Sequence, residues 1–247
     1  MTDKDLLLKA YRLMMTAKAM ADVYEQNRPV AKYVHSTSRG HEAIQLATGF
    51  LLQPEDYVSP YYRDESILLG MGFSPYEMML QLLAKADDPF TGGRAYYGHP
   101  NIARDNMARI IHQSSATGMQ AIPTTGVAQG IAYIENQQLK TYSVPPVTVC
   151  SLGDGSVTEG EVSEAFQFAA LHQLPIIFLV QDNDWGISVT SAEARTMDAY
   201  EFIEGFKGIE RLRCDGSVFE EAYATMQEAF EFVRKERKPI LVHAKVP

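Results

Sequence analysis

Two polar residues that follow apolar segments are the side chains in this sequence best placed to bind a cation. Asp154 lies in a Gly-Asp-Gly triplet after the segment PVTVCSL, and Asn183 lies just beyond the segment PIIFLVQ. If both segments are parallel strands, the two side chains lie at the carboxyl ends of neighbouring strands, where open α/β sheets bind ligands. Carboxylate and amide oxygens suit Mg²⁺, which usually shares its coordination with phosphate oxygens.

The residues around Asp154 suit an anion that arrives with the cation. Gly153 and Gly155 have no Cβ, so the backbone can come close to a bound group, and the helix expected after them directs free N–H groups at it. An ordinary strand-to-helix turn, with a capping box formed by Ser156 and Glu159, would explain the triplet alone. The second polar pair, Asp182-Asn183 after the next apolar segment, favours a site for a metal-bound diphosphate over an ordinary turn. The sequence has neither G-x-G-x-x-G nor G-x-x-x-x-G-K-[ST], which argues against the common nucleotide-binding loops.

Hydrophobic periodicity predicts the elements that must position these residues. We expect helices at about 4–26, 41–52, from 65, 75–86, 115–138, 158–172 and 218–236, and strands at about 54–58, 146–152, 175–181, 209–214 and 239–246. Apolar strands that alternate with helices predict an α/β fold with three layers, in which helices cover both faces of a mostly parallel sheet. We expect a single domain over 1–247. Because the last predicted strand runs directly into Pro247, we also expect the chain to be part of a longer polypeptide.

Composition excludes several classes of function. The chain has 247 residues, 46% of them hydrophobic and 21% charged, with a net charge of −9, so nucleic acid and anionic membranes are poor partners. No apolar run approaches the length of a membrane-spanning helix, and the N-terminus does not resemble a signal peptide. Cys150 and Cys214 have no metal-ligand spacing, and we expect buried thiols and a cytoplasmic location.

The segment GDGSVTEGEVSEAFQFAALHQLPIIFLVQDNDWGIS also resembles the thiamine-diphosphate motif, in which Gly-Asp-Gly precedes a distant Asn. More closely, it resembles the α subunit of the first component of 2-oxo acid dehydrogenases. The segments RLMMTAKAMADVY, GHEA, PYYRDES, GGR-x₄-H and S-x₄-Q-x-I-P extend the likeness over nearly the whole chain. It is most similar to the branched-chain, 2-oxoisovalerate type, which includes bacterial versions with fused α and β portions. The resemblance implies a thiamine-diphosphate-binding fold.

The resemblance assigns roles to individual residues. It implies that the side chains of Asp154 and Asn183 and the backbone carbonyl of Trp185 bind Mg²⁺. The positions that it implies for cofactor binding are Tyr62, Arg63, Ser115, Thr117, Gly118, Gly153, Asp154, Gly155, Ser156, Asn183 and Trp185. Tyr62 and Arg63 match a pair that contacts the diphosphate, although these residues alone would suggest an ordinary surface turn. His99 matches a loop histidine and is the catalytic candidate, although loop histidines are more often structural.

Three departures from the family pattern affect these assignments. The family usually has Asn-Asn-Gly-Tyr where this chain has Asp182-Asn183-Asp184-Trp185. The extra carboxylates could tighten metal binding or face solvent. The helix start SSATGMQAIP has one additional residue, which leaves open whether Ser115, Thr117 or Gly118 lies beside the cofactor rings. The catalytic histidine of the family's Gly-His-His motif is expected beyond Pro247.

The implied activity is oxidative decarboxylation of a 2-oxo acid, with acyl transfer to lipoamide on an acyltransferase second component. A β subunit would complete the active site, in an α₂β₂ tetramer or a dimer of fused chains, and the α portion alone would be inactive. A pyruvate or acetoin dehydrogenase α subunit is the closest alternative. The others are a non-catalytic assembly subunit of the same fold and a magnesium-dependent phosphohydrolase. The tyrosine and phenylalanine residues of the loop at 87–102 could line a substrate entry or pack against a partner subunit.

Overall fold

The sheet provides the frame on which the polar strand ends are placed. The computed structural model describes residues 3–32, 36–111 and 114–247. Its strands are β1 (Tyr57–Ser59), β2 (Thr148–Gly153), β3 (Ile176–Asp182), β4 (Trp185–Gly186), β5 (Val189–Thr190), β6 (Glu210–Asp215) and β7 (Ile240–Lys245). Five of them form one parallel sheet in the order β1-β2-β3-β7-β6, and β4 and β5 form a small antiparallel pair.

Helices connect the strands and cover the sheet. They are α1 (Lys4–Gln26), α2 (Glu42–Leu51), α3 (Glu65–Met71), α4 (Pro75–Leu82), α5 (Ala121–Asn136), α6 (Gly160–His172), α7 (Ser191–Ala194), α8 (Ala199–Phe202) and α9 (Phe219–Glu236). The chain passes from β2 through α6 to β3, and from β6 through α9 to β7. Both are crossovers between parallel strands of the kind that needs an intervening helix. The predicted α/β fold with a mostly parallel sheet is confirmed.

Two apolar clusters show why the fold has three layers. Successive residues of β3 alternate between them: Ile177 and Leu179 pack in a cluster with residues of α1, α2, α3 and α9. Phe178 and Val180 pack in a second cluster with residues of α5 and α6. Every residue of β3 is buried, as expected for a parallel strand with helices on both faces. The predicted three-layer arrangement is therefore present.

The register of β2 and β3 places the polar strand ends together. Gly153 on β2 pairs with Gln181 on β3, and both strands run in the same direction. Asp154 and Asn183 therefore leave the sheet at the same carboxyl edge. The prediction that these two residues lie at the ends of neighbouring parallel strands is confirmed.

Several local predictions need correction. Helix α4 ends at Leu82 rather than at residue 86, because the chain turns into the left-handed region at Ala84, φ 51°, and the Lys85 N–H closes back on the carbonyl of Leu80. The helix expected at 115–138, for which the sequence allowed an irregular first turn, is helical from Ala121 to Asn136. The predicted helix at 4–26 is confirmed, although three of its apolar side chains are exposed: Tyr11, Met15 and Val23.

Two arginines at the end of α9 secure the segment that leads into β2. Arg234 donates to both carboxylate oxygens of Asp56, at 2.9 and 2.6 Å, and to the carbonyl of Pro145 at 2.6 Å. Arg237 donates to the carboxylate of Glu135 at 2.8 Å and to the carbonyl of Pro146 at 2.9 Å. The Asp56 side chain is fully buried, whereas that of Glu135 is 28% exposed. We call these two arginine–carboxylate pairs the α9 anchors. They have the same chemistry, but the Asp56–Arg234 pair is more deeply buried than the Glu135–Arg237 pair.

The remaining sequence-based expectations concern the cysteines and the membrane. Cys150 on β2 and Cys214 on β6 are buried free thiols, as predicted. Burial raises the pKa of both thiols to about 12. None of the helices in the described ranges combines the length and the apolar character that crossing a bilayer requires.

Candidate functional site

A cavity of about 670 Å³ opens at the carboxyl edge of the sheet, and we call it the central cavity. The cavity is lined by all the residues that the sequence singled out: Tyr62, Arg63, His99, Ser115, Thr117, Gly118, Gly153, Asp154, Gly155, Ser156, Asn183 and Trp185. They come from five separate parts of the chain: 62–63, 99, 115–118, 153–156 and 183–185. The structure thus brings the predicted residues to one place, and their individual roles remain predictions.

The Gly-Asp-Gly turn places Asp154 directly after the last residue of β2. Residues Asp154–Thr158 form a single 3₁₀ segment, and the Ser156 hydroxyl donates to the carbonyl of Gly153 at 2.6 Å. This geometry overturns the capping-box alternative, because Glu159 caps α6 without a side-chain hydrogen bond. The Asp154 side chain is nearly buried, yet it lines the cavity.

Arg195 is the closest charged partner of Asp154. Its Nη2 lies 2.6 Å from the Oδ2 of Asp154 and 3.2 Å from the Oδ1 of Asp182, and its side chain is only 9% exposed. Burial raises the pKa of Asp154, although the hydrogen bond from Arg195 opposes this effect. No periodicity or motif around residue 195 indicated this contact. The carboxylate of Asp154 is thus already paired with a cation of this chain, and a metal ion there would have to share or displace Arg195.

The extra carboxylates of the Asp182-Asn183-Asp184-Trp185 segment are paired with other side chains and are not among the residues that line the central cavity. Asp182 accepts from the Nε2 of His243 at 2.8 Å, and Asp184 accepts from the Nζ of Lys245 at 2.6 Å. Both line a second, smaller cavity on the other side of the strand end. Burial would raise the pKa of Asp182, but its hydrogen bonds, with that from His243 the strongest, lower it overall.

Asn183 and Trp185 occupy the rim of the central cavity. The Asn183 Oδ1 accepts the N–H of Trp185 at 3.2 Å, which retains one lone pair for another partner. The Trp185 side chain is 54% exposed. Among residues 3–32, 36–111 and 114–247, no group of three or more His, Cys, Asp or Glu side chains could hold a metal by itself.

A magnesium ion at this rim would therefore depend on a few protein oxygens together with oxygens of a ligand. This is the usual arrangement for Mg²⁺ bound with phosphates. At Gly155 a Cβ would make only an ordinary contact, 3.6 Å from the Cα of Gly186, so the chain's own atoms do not crowd the turn. The residues present fit a metal-bound diphosphate.

Asp64 holds the Tyr62-Arg63 turn in place. Its Oδ2 accepts the N–H of Tyr61 at 2.9 Å, and its Oδ1 accepts from the Nε2 of Gln181 at 2.8 Å. Arg63 donates to the carbonyl of Thr37 at 3.2 Å. Burial raises the pKa of Asp64 to about 6. The turn is tied to the end of β3, so the alternative of an ordinary surface turn does not describe it.

The loop that carries His99 crosses closely over this turn. Gly98 has a φ of 77°, and a Cβ on it would lie 2.7 Å from the Cα of Tyr62. His99 is 4% exposed, and its Nδ1 lies 3.1 Å from the carbonyl of Tyr97. Phe90 and Tyr97 pack within the chain's own core, whereas Tyr96 lines the central cavity. Phe90 and Tyr97 therefore neither line a substrate entry nor pack against a partner subunit, which were the two alternatives for the aromatic residues of this loop.

Glu65 is a further buried carboxyl near the site, and it should make stability depend on pH. It accepts from the Tyr97 hydroxyl and from the Ser38 N–H. Burial raises its pKa from 4.5 to about 7, with these hydrogen bonds opposing the shift. The folded protein therefore holds a proton that the unfolded chain releases between these values, so the free energy of unfolding falls as pH rises through this range.

We expect the Glu65→Gln variant to lack this loss, because its side chain stays neutral. The wild type should lose roughly 3 kcal/mol more than the variant between pH 4 and pH 8. Urea unfolding of both proteins at the two pH values measures the difference. Equal pH dependence in the two proteins would show that Glu65 is already ionised in the folded state at low pH.

Comparisons with known proteins give the relatives and the family of the chain. The chain is 29% identical over 242 residues to the 2-oxoisovalerate dehydrogenase subunit alpha 2, mitochondrial, of Arabidopsis thaliana, which covers 98% of this chain and 49% of that protein. It is also 29% identical over 207 residues to the pyruvate dehydrogenase E1 component subunit alpha of Rickettsia bellii (strain RML369-C), which covers 83% of this chain and 60% of that protein. The chain thus spans about half to three fifths of the length of these relatives.

A solved structure shows the same fold. The transketolase from Campylobacter jejuni subsp. jejuni NCTC 11168 superposes with a TM-score of 0.67 at 19% identity, over 100% of this chain and 38% of that chain. At this identity the likeness concerns the fold alone. The match to a protein family is more specific, because the family described as "Dehydrogenase E1 component" matches residues 8–246. The chain therefore belongs to the dehydrogenase E1 component family.

Proposed function

We propose that this chain holds thiamine diphosphate through Mg²⁺ and acts as the α portion of a 2-oxo acid dehydrogenase, of the acyl-transferring oxidoreductase class. One observation carries the proposal: Asp154 and Asn183 lie at adjacent strand ends and line the same cavity as the Tyr62-Arg63 turn. A cation site and a phosphate-binding arginine in one cavity suit a metal-bound diphosphate. Membership of the family supports the same function.

In this proposal each part of the central cavity has a distinct task. Oxygens of Asp154, Asn183 and the Trp185 backbone bind Mg²⁺. The backbone N–H groups of Gly155 and Ser156 face the diphosphate, beside Gly153. The Tyr62-Arg63 turn contacts the diphosphate, and the planar guanidinium suits paired phosphate oxygens.

The wall at 115–118 would lie beside the rings of the cofactor. Ser115, Thr117 and Gly118 all line the central cavity, so the choice among them stays open. Gly118 has a φ of 79°, and a Cβ on it would come within 3.1 Å of Glu159 and Val162. His99 is proposed as a catalytic residue that moves a proton in the cavity. Thiamine diphosphate itself supplies carbanion stabilisation when bound.

The proposed substrate is a branched-chain 2-oxo acid of the 2-oxoisovalerate type, and the acyl group passes to lipoamide on a second component. The similarity to the Arabidopsis thaliana 2-oxoisovalerate dehydrogenase subunit supports this choice, because it covers more of the chain than the similarity to the Rickettsia bellii subunit. A pyruvate or acetoin dehydrogenase α portion is the second candidate. The retention of Asp154, Asn183 and Arg63 in one cavity disfavours a non-catalytic assembly subunit.

We further propose that residues 1–247 form one domain that works with a β subunit or β domain, in an α₂β₂ tetramer or a dimer of fused chains. The lipoyl-bearing acyltransferase would be the next partner. The proposed compartment is the cytoplasm, which the two unpaired thiols suit.

The experiment that tests the proposed function uses the full protein together with its β portion. Calorimetry should show binding of thiamine diphosphate that depends on Mg²⁺. Steady-state decarboxylation should then be faster with 3-methyl-2-oxobutanoate than with pyruvate, as measured by kcat/KM. A preference for pyruvate would favour the second candidate. Failure to bind thiamine diphosphate in the presence of Mg²⁺ would overturn the proposal.

A further inference from the structure

His41 is a buried side chain of the central cavity that the proposed function leaves without a role. It caps the start of α2, is 1% exposed and lines the cavity. Its Nδ1 lies 2.9 Å from the Oε1 of Gln181, but its Nε2 has no hydrogen-bond partner among the described residues. Buried polar atoms are nearly always paired, so an unpaired one on a side chain that lines a cavity indicates a missing partner.

A backbone group settles the orientation of the hydrogen bonds around His41. The N–H of Ser66 can only donate, and it lies 3.1 Å from one amide atom of Gln45, which must therefore be the oxygen. The other amide atom of Gln45 is then the nitrogen, and it donates to Gln181 at 2.8 Å. The atom of Gln181 that faces Gln45 is accordingly its oxygen.

The opposite end of Gln181 agrees with this assignment. Its nitrogen donates to Asp64 at 2.8 Å and to the hydroxyl of Ser151 at 2.9 Å. Because His41 faces the same oxygen of Gln181, the Nδ1 of His41 must carry a hydrogen and donate it. The network thus determines the tautomer of His41 without reference to any ligand.

The Nε2 of His41 is consequently a bare acceptor. Burial lowers the pKa of His41 to about 4, with the nearby Arg63 acting in the same direction and the hydrogen bond with Gln181 opposing it. A neutral imidazole that donates from Nδ1 offers only a lone pair at Nε2. Such an atom cannot bind a phosphate oxygen, which also offers only lone pairs.

We propose that the Nε2 of His41 accepts a hydrogen bond from a hydroxyl or amino hydrogen of the molecule bound in the central cavity. This inference rests on the proposed function and deepens it. It assigns His41 to a part of the bound molecule that carries a hydrogen-bond donor, and not to its phosphate oxygens. His41 is a positioning residue in this role. The hydrogen bond from Nδ1 to Gln181 fixes the ring of a residue that lines the cavity and leaves its Nε2 unpaired.

Two substitutions separate the ring's two nitrogens. In His41→Asn the side-chain amide can replace Nδ1 and donate to Gln181, but nothing replaces Nε2. In His41→Gln the longer side chain places an amide oxygen near the position of Nε2 and gives up the bond to Gln181. The experiment compares both variants with wild type in the full protein with its β portion, by thermal unfolding and by calorimetric binding of thiamine diphosphate with Mg²⁺.

We expect His41→Asn to keep the thermal midpoint of unfolding close to that of wild type and to weaken cofactor binding about tenfold or more. His41→Gln should recover most of the affinity while unfolding more readily. If His41→Asn binds the cofactor as tightly as wild type, the acceptor role is overturned and the proposed function stands. If wild type itself does not bind, both are overturned.

A spectroscopic readout tests the tautomer independently of binding. Solid-state NMR of the full protein with ¹⁵N-labelled histidine should show the His41 signals, identified by their loss in His41→Asn, with the hydrogen on Nδ1 and none on Nε2. Addition of thiamine diphosphate with Mg²⁺ should shift the Nε2 signal most. A hydrogen on Nε2 in the free protein, or an unshifted Nε2 signal in the bound protein, would overturn the inference.

Discussion

Replacement of Asp154 by alanine is expected to weaken Mg²⁺-dependent binding of thiamine diphosphate by at least about 100-fold, or about 2.7 kcal/mol. The proposed cation site has few protein oxygens, and Asp154 supplies the only carboxylate among the three ligands proposed. Its carboxylate is paired with Arg195 at 2.6 Å, so a bound metal ion would share or displace this guanidinium. Calorimetric titration of the full protein with its β portion measures the effect.

Asp184→Ala is the matched control for this substitution. Asp184 also follows β3, but its carboxylate is directed to Lys245 and lines the second cavity instead of the central one. We therefore expect its affinity for the cofactor to stay within about threefold of that of wild type. Asn183→Ala should weaken binding like Asp154→Ala. Undiminished binding in both Asp154→Ala and Asn183→Ala would remove the metal assignment.

Replacement of Asp56 by alanine is expected to destabilise the fold by about 3–5 kcal/mol, because it leaves the Arg234 guanidinium without its buried carboxylate. Asp56 also accepts the backbone N–H groups of Gln53 and Val147, at 2.7 and 2.8 Å, and these would lose their acceptor. Urea unfolding measures the change. The lost contacts hold the segment that leads into β2, and Asp154 directly follows the last residue of this strand.

Glu135→Ala removes the carboxylate of the other anchor on α9. Because the side chains of Glu135 and Arg237 are 28% and 25% exposed, water can replace the lost contacts. We expect a cost of about 1 kcal/mol or less. Similar costs for Asp56→Ala and Glu135→Ala would mean that burial does not set the strength of these anchors.

The sequence allowed a good prediction of the sheet and of the strand-end residues. Apolar runs such as the one before Asp182 can hardly be anything but buried parallel strands in a chain that alternates them with helices. Once β2 and β3 are neighbours, the position of Asp154 and Asn183 follows from the geometry of parallel strands. The glycines and polar residues after β2 were enough to predict a turn there, but not to predict how Ser156 bonds within it.

The contacts around these residues could not be predicted in the same way. Gln181 lies within an apolar strand, and its partners His41 and Asp64 are 140 and 117 positions away in the chain. Arg195 lies in an irregular segment whose residue types give no periodicity. The capping box failed because Ser156 uses its hydroxyl within the 3₁₀ turn. Each of these features depends on long-range packing or on a local backbone choice.

The close crossing of Gly98 over Tyr62 has a consequence for mutational studies of the site. The loop and the turn share a contact between backbones, so neither can shift without displacing the other. Changes in the free energy of binding caused by substitutions at His99 and at Tyr62 or Arg63 should therefore not simply add when they are combined. We therefore expect the two segments to move together, although 36 positions separate Gly98 from Tyr62 in the sequence.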